Sequence, residues 1–174
     1  MADSHGSRFS EAEIEFIGSD EFSQLEYSES KLDFIGELLS RATGGTTTSR
    51  DSSIGPLLAQ SMPPLKPAEE KALFQRMNYL KFQAEAIRST LSHGRPASRK
   101  LERIEALLDE AELVRRRIVE HNIRLVVSIC RRYSRSDQQF QEFISEGLLI
   151  LLGAASKFDY SRGFRFSTYA TNSI

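Results

Sequence analysis

The segment Phe158-Asp159-Tyr160-Ser161-Arg162-Gly163-Phe164-Arg165-Phe166-Ser167-Thr168-Tyr169-Ala170-Thr171 holds five aromatic rings within twelve positions, interleaved with Arg162, Arg165 and hydroxyl residues. Only 9% of the chain is aromatic, so the clustering is local. Flat rings can stack on unpaired bases while arginines hold the neighbouring phosphates, a combination that suits single-stranded nucleic acid. The competing reading is the edge of a hydrophobic core with two solvated arginines, since aromatics are ordinary core residues. A second constellation is Glu142 and Glu146, which four-residue spacing puts on one helix face. Paired carboxylates can do acid–base work, but on an exposed helix they are usually just solvated. Flanked by large apolar residues, they suit a docking face for a basic partner helix.

Other chemistry is not indicated. There is no nucleotide-binding glycine loop, no HExxH and no cysteine or histidine ligand spacing. His5, His93 and His121 are scattered, and no Ser–His–Asp set can be argued from spacing. The expectation is a protein that is not an enzyme, with no metal, no cofactor and no small-molecule substrate. Cys130 is the single cysteine, so an intrachain disulfide is excluded. Its neighbours Val126, Val127 and Ile129 predict a buried structural thiol. The longest apolar run, Leu148 to Ala155, is too short for a membrane span. The N-terminus lacks the basic and apolar regions of a secretory signal. These features predict a cytoplasmic protein.

The net charge of −1 hides an asymmetry. Residues 1–50 hold ten acids and four bases, whereas residues 115–174 hold five acids and ten bases. A basic tail suits a polyanion, and an acidic head can compete for it by lying over Arg131, Arg132, Arg162 and Arg165; simple solvation of both ends is the alternative.

Four regions follow from the composition and periodicity. Residues 1–53 form an acidic arm and linker, expected to be disordered, with Arg41 to Ser53 offering nothing to bury against its ordering entropy. Within it, Glu15-Phe16-Ile17-Gly18 is echoed by Asp33-Phe34-Ile35-Gly36. An echo this short can arise by chance; its functional alternative is a pair of acidic-hydrophobic binding motifs. Residues 54–92 carry a helix that starts around Pro67, with acids behind it. Its apolar face is Leu73, Met77, Leu80, Ala84, Ile87 and Leu91. Residues 93–112 form a spacer after the break at Ser92-His93-Gly94-Arg95-Pro96.

A second periodic run passes through Leu101, Ile104, Leu108, Ala111, Val114, Ile118, Leu125, Ile129 and Tyr133. It is long enough to predict a kink, for which Asn122 is the candidate. Asp137 is the expected N-cap of the next helix, whose apolar face is Phe140, Phe143, Ile144, Leu148, Leu151, Leu152 and Ala155. Gly147 disfavours that helix by about 1 kcal/mol relative to alanine, which points to close packing there. Asp159 to Gly163 reads as a turn, and Ser167 as the cap of a final helix. No stretch alternates like a strand, so the fold class is all-α.

The residues from Arg117 through Ile129 to Tyr133, then Phe140-Gln141-Glu142-Phe143-Ile144-Ser145-Glu146-Gly147, then Lys157 to Thr171, resemble region 2 of bacterial sigma-70 family RNA polymerase sigma factors. The match is colinear and assigns residues 113–174 to that domain; residues 54–92 resemble region 1.2 more loosely. An RNA-recognition string is the other candidate for Arg162-Gly163-Phe164-Arg165-Phe166, but Arg165 and Ser167 depart from it and its strands are missing.

The resemblance implies an α-helical bundle that binds the clamp coiled coil of core RNA polymerase. Glu142, Phe143, Ser145, Glu146, Leu149 and Leu152 fall at the docking positions. It also implies contact with the single-stranded non-template strand of the minus-ten promoter element. Tyr160, Arg162, Phe164, Arg165, Phe166, Ser167, Thr168 and Tyr169 fall at those positions, with Tyr169 replacing a flipped adenine in the stack.

Asn172-Ser173-Ile174 stands where the family usually has two tryptophans and then Ile-Arg-Gln, so the resemblance runs out before the end of region 2. Ser145 and Leu148 replace a usual Gln and Asn, and Asp137 a usual Gly. The resemblance supports a sigma factor acting in initiation, or a sigma-like protein that competes for the clamp without directing initiation. An autonomous RNA-binding module is the third class. A base–aromatic stack returns about 1–3 kcal/mol, against a few kcal/mol to flip one base and about 1.4 kcal/mol for each lost duplex step. The domain alone is therefore expected to hold a flipped base but not to open a bubble.

Overall fold

A computed structural model of the chain describes residues 14–19, 22, 61–91 and 98–174. Among these, the secondary structure is α1 (Pro67–Arg88), α2 (Ser98–Tyr133), α3 (Asp137–Lys157), a 3₁₀ turn (Tyr160–Arg162) and α4 (Phe166–Ser173). No strand occurs among the described residues, in agreement with the all-α expectation. The linker Arg41–Ser53, the second motif at Asp33–Gly36, His5 and His93 lie outside the described residues.

Helix α1 begins where the sequence predicts. Pro67 occupies the first turn, and the Glu69 carboxylate accepts from the Lys66 N–H at 2.8 Å. Leu73, Met77, Leu80 and Ala84 are buried as the periodicity requires, together with Phe74 and Asn78. The helix ends at Arg88, so Leu91 lies just beyond it. The preceding segment straps α2: Met62 N–H donates to Glu120 O at 3.1 Å, and Arg124 Nε donates to Ser61 Oγ at 3.0 Å. His121 Nδ1 lies 2.5 Å from Pro63 O. Burial beneath this strap pushes the His121 imidazole below its usual pKa.

The sequence leads one to expect a break near Asn122, but α2 runs through that position uninterrupted over 36 residues. Asn122 is buried, and its side-chain amide donates to Ile118 O at 2.8 Å, one turn back. The amide shares the carbonyl that the backbone ladder uses at this turn, and the helix runs on through it. No interruption marks position 113 either. Tyr133, the last member of the predicted apolar run, is exposed.

Ser136, not Asp137, caps α3: its Oγ accepts from Gln139 N–H at 3.2 Å. Asp137 is the first helical residue, where a carboxylate still meets the positive end of the helix dipole. Gly147 packs against α2 as anticipated. A Cβ there would lie 2.7 Å from Val126 Cγ1 and 3.4 Å from Cys130 Sγ. Val126 is fully buried and β-branched, so it cannot yield easily. Gly147→Ala is therefore expected to destabilise, by about 1–2 kcal/mol, although helix propensity alone would favour it. A urea melt that showed the alanine variant to be more stable would contradict the close approach.

Candidate nucleic-acid interface

The aromatic segment is built on a cluster of three rings. Phe74 of α1 lies 4.8 Å from Phe158 and 5.1 Å from Phe166 between ring centroids, and Phe158 and Phe166 are 5.3 Å apart. Tyr169, one turn further along α4, rests on the outer side of this cluster, 5.5 Å from Phe158. Between α3 and α4 the chain turns at Asp159, whose carboxylate accepts from the Ser161 hydroxyl at 2.6 Å and the Ser161 N–H at 3.0 Å. Arg162 Nε adds a third bond at 3.0 Å. The Ser161 bonds, supported by the Arg162 guanidinium, hold the Asp159 carboxyl below the usual carboxylate range. Gly163 reverses the chain with φ +76°, in the left-handed region that favours glycine.

Ser167 does not cap α4. Helix α4 starts at Phe166, and the Phe166 N–H donates to Glu70 Oε1 at 2.9 Å. Glu70 belongs to α1 and is buried. The same carboxylate accepts from Arg165 Nε at 3.0 Å and Arg165 Nη2 at 3.3 Å, while Nη2 also donates to Leu65 O at 2.8 Å. A buried carboxylate from another helix thus replaces the local cap, and Ser167 lies inside the helix with its carbonyl accepting from Thr171 Oγ1.

These elements leave an open cleft of about 480 Å³ lined by Lys157, Phe158, Asp159, Arg162, Phe164, Thr168, Tyr169 and Asn172. Phe164 is 69% exposed and Tyr169 37% exposed. Of the residues expected to contact a strand, the structure brings Arg162, Phe164, Thr168 and Tyr169 to this cleft. It does not bring the others there. Phe166 is fully buried in the ring cluster, Tyr160 is buried in the 3₁₀ turn, and Arg165 is held by Glu70. Ser167 is partly buried and outside the lining. The sequence reading missed Lys157, Phe158, Asp159 and Asn172 as lining residues. Asn172 was discoverable, since it lies three and four positions after Tyr169 and Thr168 on one helix face.

A second surface lies on α3. Glu142, Ser145, Glu146 and Leu149 are all exposed, at the spacing of a single helix face, and Phe143 and Leu152 flank them half-buried. Leu149 is 70% exposed. Exposed Tyr133 and Ile150 stand beside this face, with Cys130 buried behind them and its thiol pushed up by burial. Among the described residues, no group of three or more His, Cys, Asp or Glu side chains is placed to hold a metal ion. No described helix is long and apolar enough to cross a membrane.

The described part of the acidic arm is packed. The Ile17 N–H donates to Asn78 Oδ1 at 2.7 Å and the Ile14 N–H to Glu85 Oε2 at 3.3 Å, both acceptors on α1. Phe22 is buried against Tyr79 and Phe82. These contacts lie on α1 and not on the four arginines that charge alone suggested. Reading the arm as disordered did not anticipate them.

Residues 118–174 match the family model for sigma-70 region 2. The chain is 38% identical over 133 residues to the RNA polymerase principal sigma factor HrdD of Streptomyces coelicolor, a match that covers 75% of this chain and 39% of that protein. It is 47% identical over 70 residues to HrdD of Streptomyces griseus, covering 40% and 21% of the two chains. It is also 51% identical over 61 residues to the sigma factor SigA of Lactococcus lactis, covering 35% and 16%. The chain thus spans about two-fifths of the length of the first of these relatives.

Proposed function

The chain belongs to the sigma-70 family through its region 2, and on that premise we propose that it acts in the bacterial cytoplasm as a sigma factor in transcription initiation, binding core RNA polymerase and the melted minus-ten strand. One observation carries the reading. Among the described residues, the large exposed apolar side chains fall mainly in two places: Phe164 and Tyr169 at the cleft, and Tyr133, Leu149 and Ile150 on or beside the acidic face of α3. Exposed rings next to Lys157 and Arg162 suit bases next to phosphates. An exposed leucine one turn beyond two carboxylates suits a basic partner helix.

In this proposal Glu142, Ser145, Glu146 and Leu149 meet the clamp coiled coil, with Phe143 and Leu152 supporting them. Tyr169 and Phe164 take the bases, and Arg162 and Lys157 hold the backbone. Thr168 and Asn172 offer side-chain hydrogen bonds to the base edges. Phe166, Tyr160 and Arg165 act from behind, by fixing α4 and its turn, and Ser167 lies next to that support.

The test is binding of a labelled single-stranded minus-ten oligonucleotide to the chain mixed with core polymerase. Tyr169→Ala is expected to weaken this binding by about 1–3 kcal/mol, the worth of one stack, which is roughly a 5- to 150-fold loss of affinity. The same strand with its key adenine replaced should bind the unsubstituted chain no better than the variant binds the native strand. Equal binding of both strands by both proteins would remove strand recognition from the proposal. Retained competition with another sigma factor for core would then favour the second reading, a clamp competitor. The separation of the α3 face from the cleft makes that reading physically possible.

A further inference from the structure

The segment Ile14–Ser19 lies on a binding surface that is specific in its chemistry. Asn78 is fully buried, and its Nδ2 already donates to Phe74 O at 2.9 Å. Its Oδ1 faces the arm and accepts the Ile17 N–H. Two turns further along α1, Glu85 accepts the Ile14 N–H. Phe16 stands edge-on to Phe82, with 5.7 Å between ring centroids. Ile14, Phe16 and Ile17 are each partly buried against the core, while Glu15 and Gly18 are exposed. A Cβ on Gly18 would meet only the Phe16 ring, at 3.9 Å, so the surface does not require that glycine. It reads two backbone N–H groups and a Phe-Ile pair with an apolar residue two positions before it.

Leu32-Asp33-Phe34-Ile35-Gly36 repeats that order of residue classes in full, with leucine in place of Ile14 and aspartate in place of Glu15. The backbone donors come with any sequence, and the side chains that the surface reads recur in the same relation. We propose that the Asn78–Phe82–Glu85 face of α1 is a peptide-docking site and that Leu32–Gly36 is its second ligand within the same chain, exchanging with Ile14–Gly18. Both segments need the same Asn78, Phe82 and Glu85 side chains, so occupancy is mutually exclusive. The exchange takes place at the rim of the aromatic cleft, because Lys157 borders both the docked segment and the cleft.

Amide hydrogen exchange on the full chain tests this. In the unsubstituted chain, protection is expected at residues 14–18. In Phe16→Ala/Ile17→Ala, protection moves to residues 32–36, with exchange at the Ile35 amide slowing by about tenfold. A further Phe34→Ala substitution abolishes that gain. A synthetic peptide of residues 30–42, added to the unsubstituted chain, should speed exchange at the Ile17 amide, and the same peptide with Phe34→Ala should not. The proposal is overturned if residues 32–36 stay unprotected in the double variant, or if the peptide leaves Ile17 unchanged. Protection that rises with chain concentration would overturn its intramolecular form.

Discussion

Phe166→Ala is expected to destabilise the protein by about 3–5 kcal/mol, the usual loss on truncating a buried phenylalanine. Phe166 is fully buried and touches both other rings of its cluster, Phe74 and Phe158. Its removal deletes two of the three ring pairs and leaves a void beneath the first turn of α4. At this chain length each kcal/mol shifts the midpoint by roughly 2–4 °C, so calorimetry should show a fall of roughly 6–20 °C. Phe166→Leu fills much of the void and should recover over half of the loss. A shift of only a degree or two for the alanine variant would mean that the ring is not part of the core. The outcome also separates two roles that the aromatic composition leaves entangled: a ring that stacks on a base changes affinity, whereas this ring changes stability first and affinity only through Tyr169.

Glu70→Ala is expected to destabilise by about 2–4 kcal/mol, combining a lost helix cap with a lost charge-assisted bond. The carboxylate is buried and accepts from the Phe166 N–H and from two nitrogens of Arg165. Arg165 is partly exposed, with its side chain at 42%, so solvent moderates its share. Glu70→Gln keeps an acceptor for the Phe166 N–H but loses the charge, and should cost about 1–2 kcal/mol. The order alanine, then glutamine, then native should appear in urea midpoints. Under the proposed function the same order should appear in strand affinity, because Tyr169 sits on the helix that Glu70 starts. Equal stability of all three proteins would show that α4 is held by Phe166 and Ala170 burial alone.

What was legible in the sequence is the part governed by local periodicity. Leu73, Met77, Leu80 and Ala84 fall on one face of α1 because helical spacing leaves them no other arrangement. The same holds for Phe140, Ile144, Leu151 and Ala155 on α3. Gly147 declared a close approach through its cost to the helix. The errors lie where a partner distant in sequence decides. Ser167 has the right chemistry for a cap, but Glu70, 96 positions before the Phe166 N–H, takes the role. Arg165 looks like a phosphate ligand until that same carboxylate claims it. Asn122 looks like a break because its backbone competition is visible and its bond to Ile118 is not. The acidic arm hides the docked segment, since the two acceptors that hold Ile14 and Ile17 belong to α1 and bind backbone, which leaves no composition signal.

The Glu70 contact also has a consequence in time. It joins groups 96 positions apart, whereas α1 with α2 and α2 with α3 pair neighbours along the chain. Closing so long a loop from the unfolded chain is entropically unfavourable, and the closure shortens only after the two helical hairpins have packed. The contact is therefore expected to form late in folding and to be among the first to break in unfolding. Its loss in Glu70→Ala should accelerate unfolding and leave the folding rate nearly unchanged, the signature of an interaction absent from the transition state. The lifetime of the assembled cleft, rather than the speed at which the bundle collapses, is then what this one carboxylate sets.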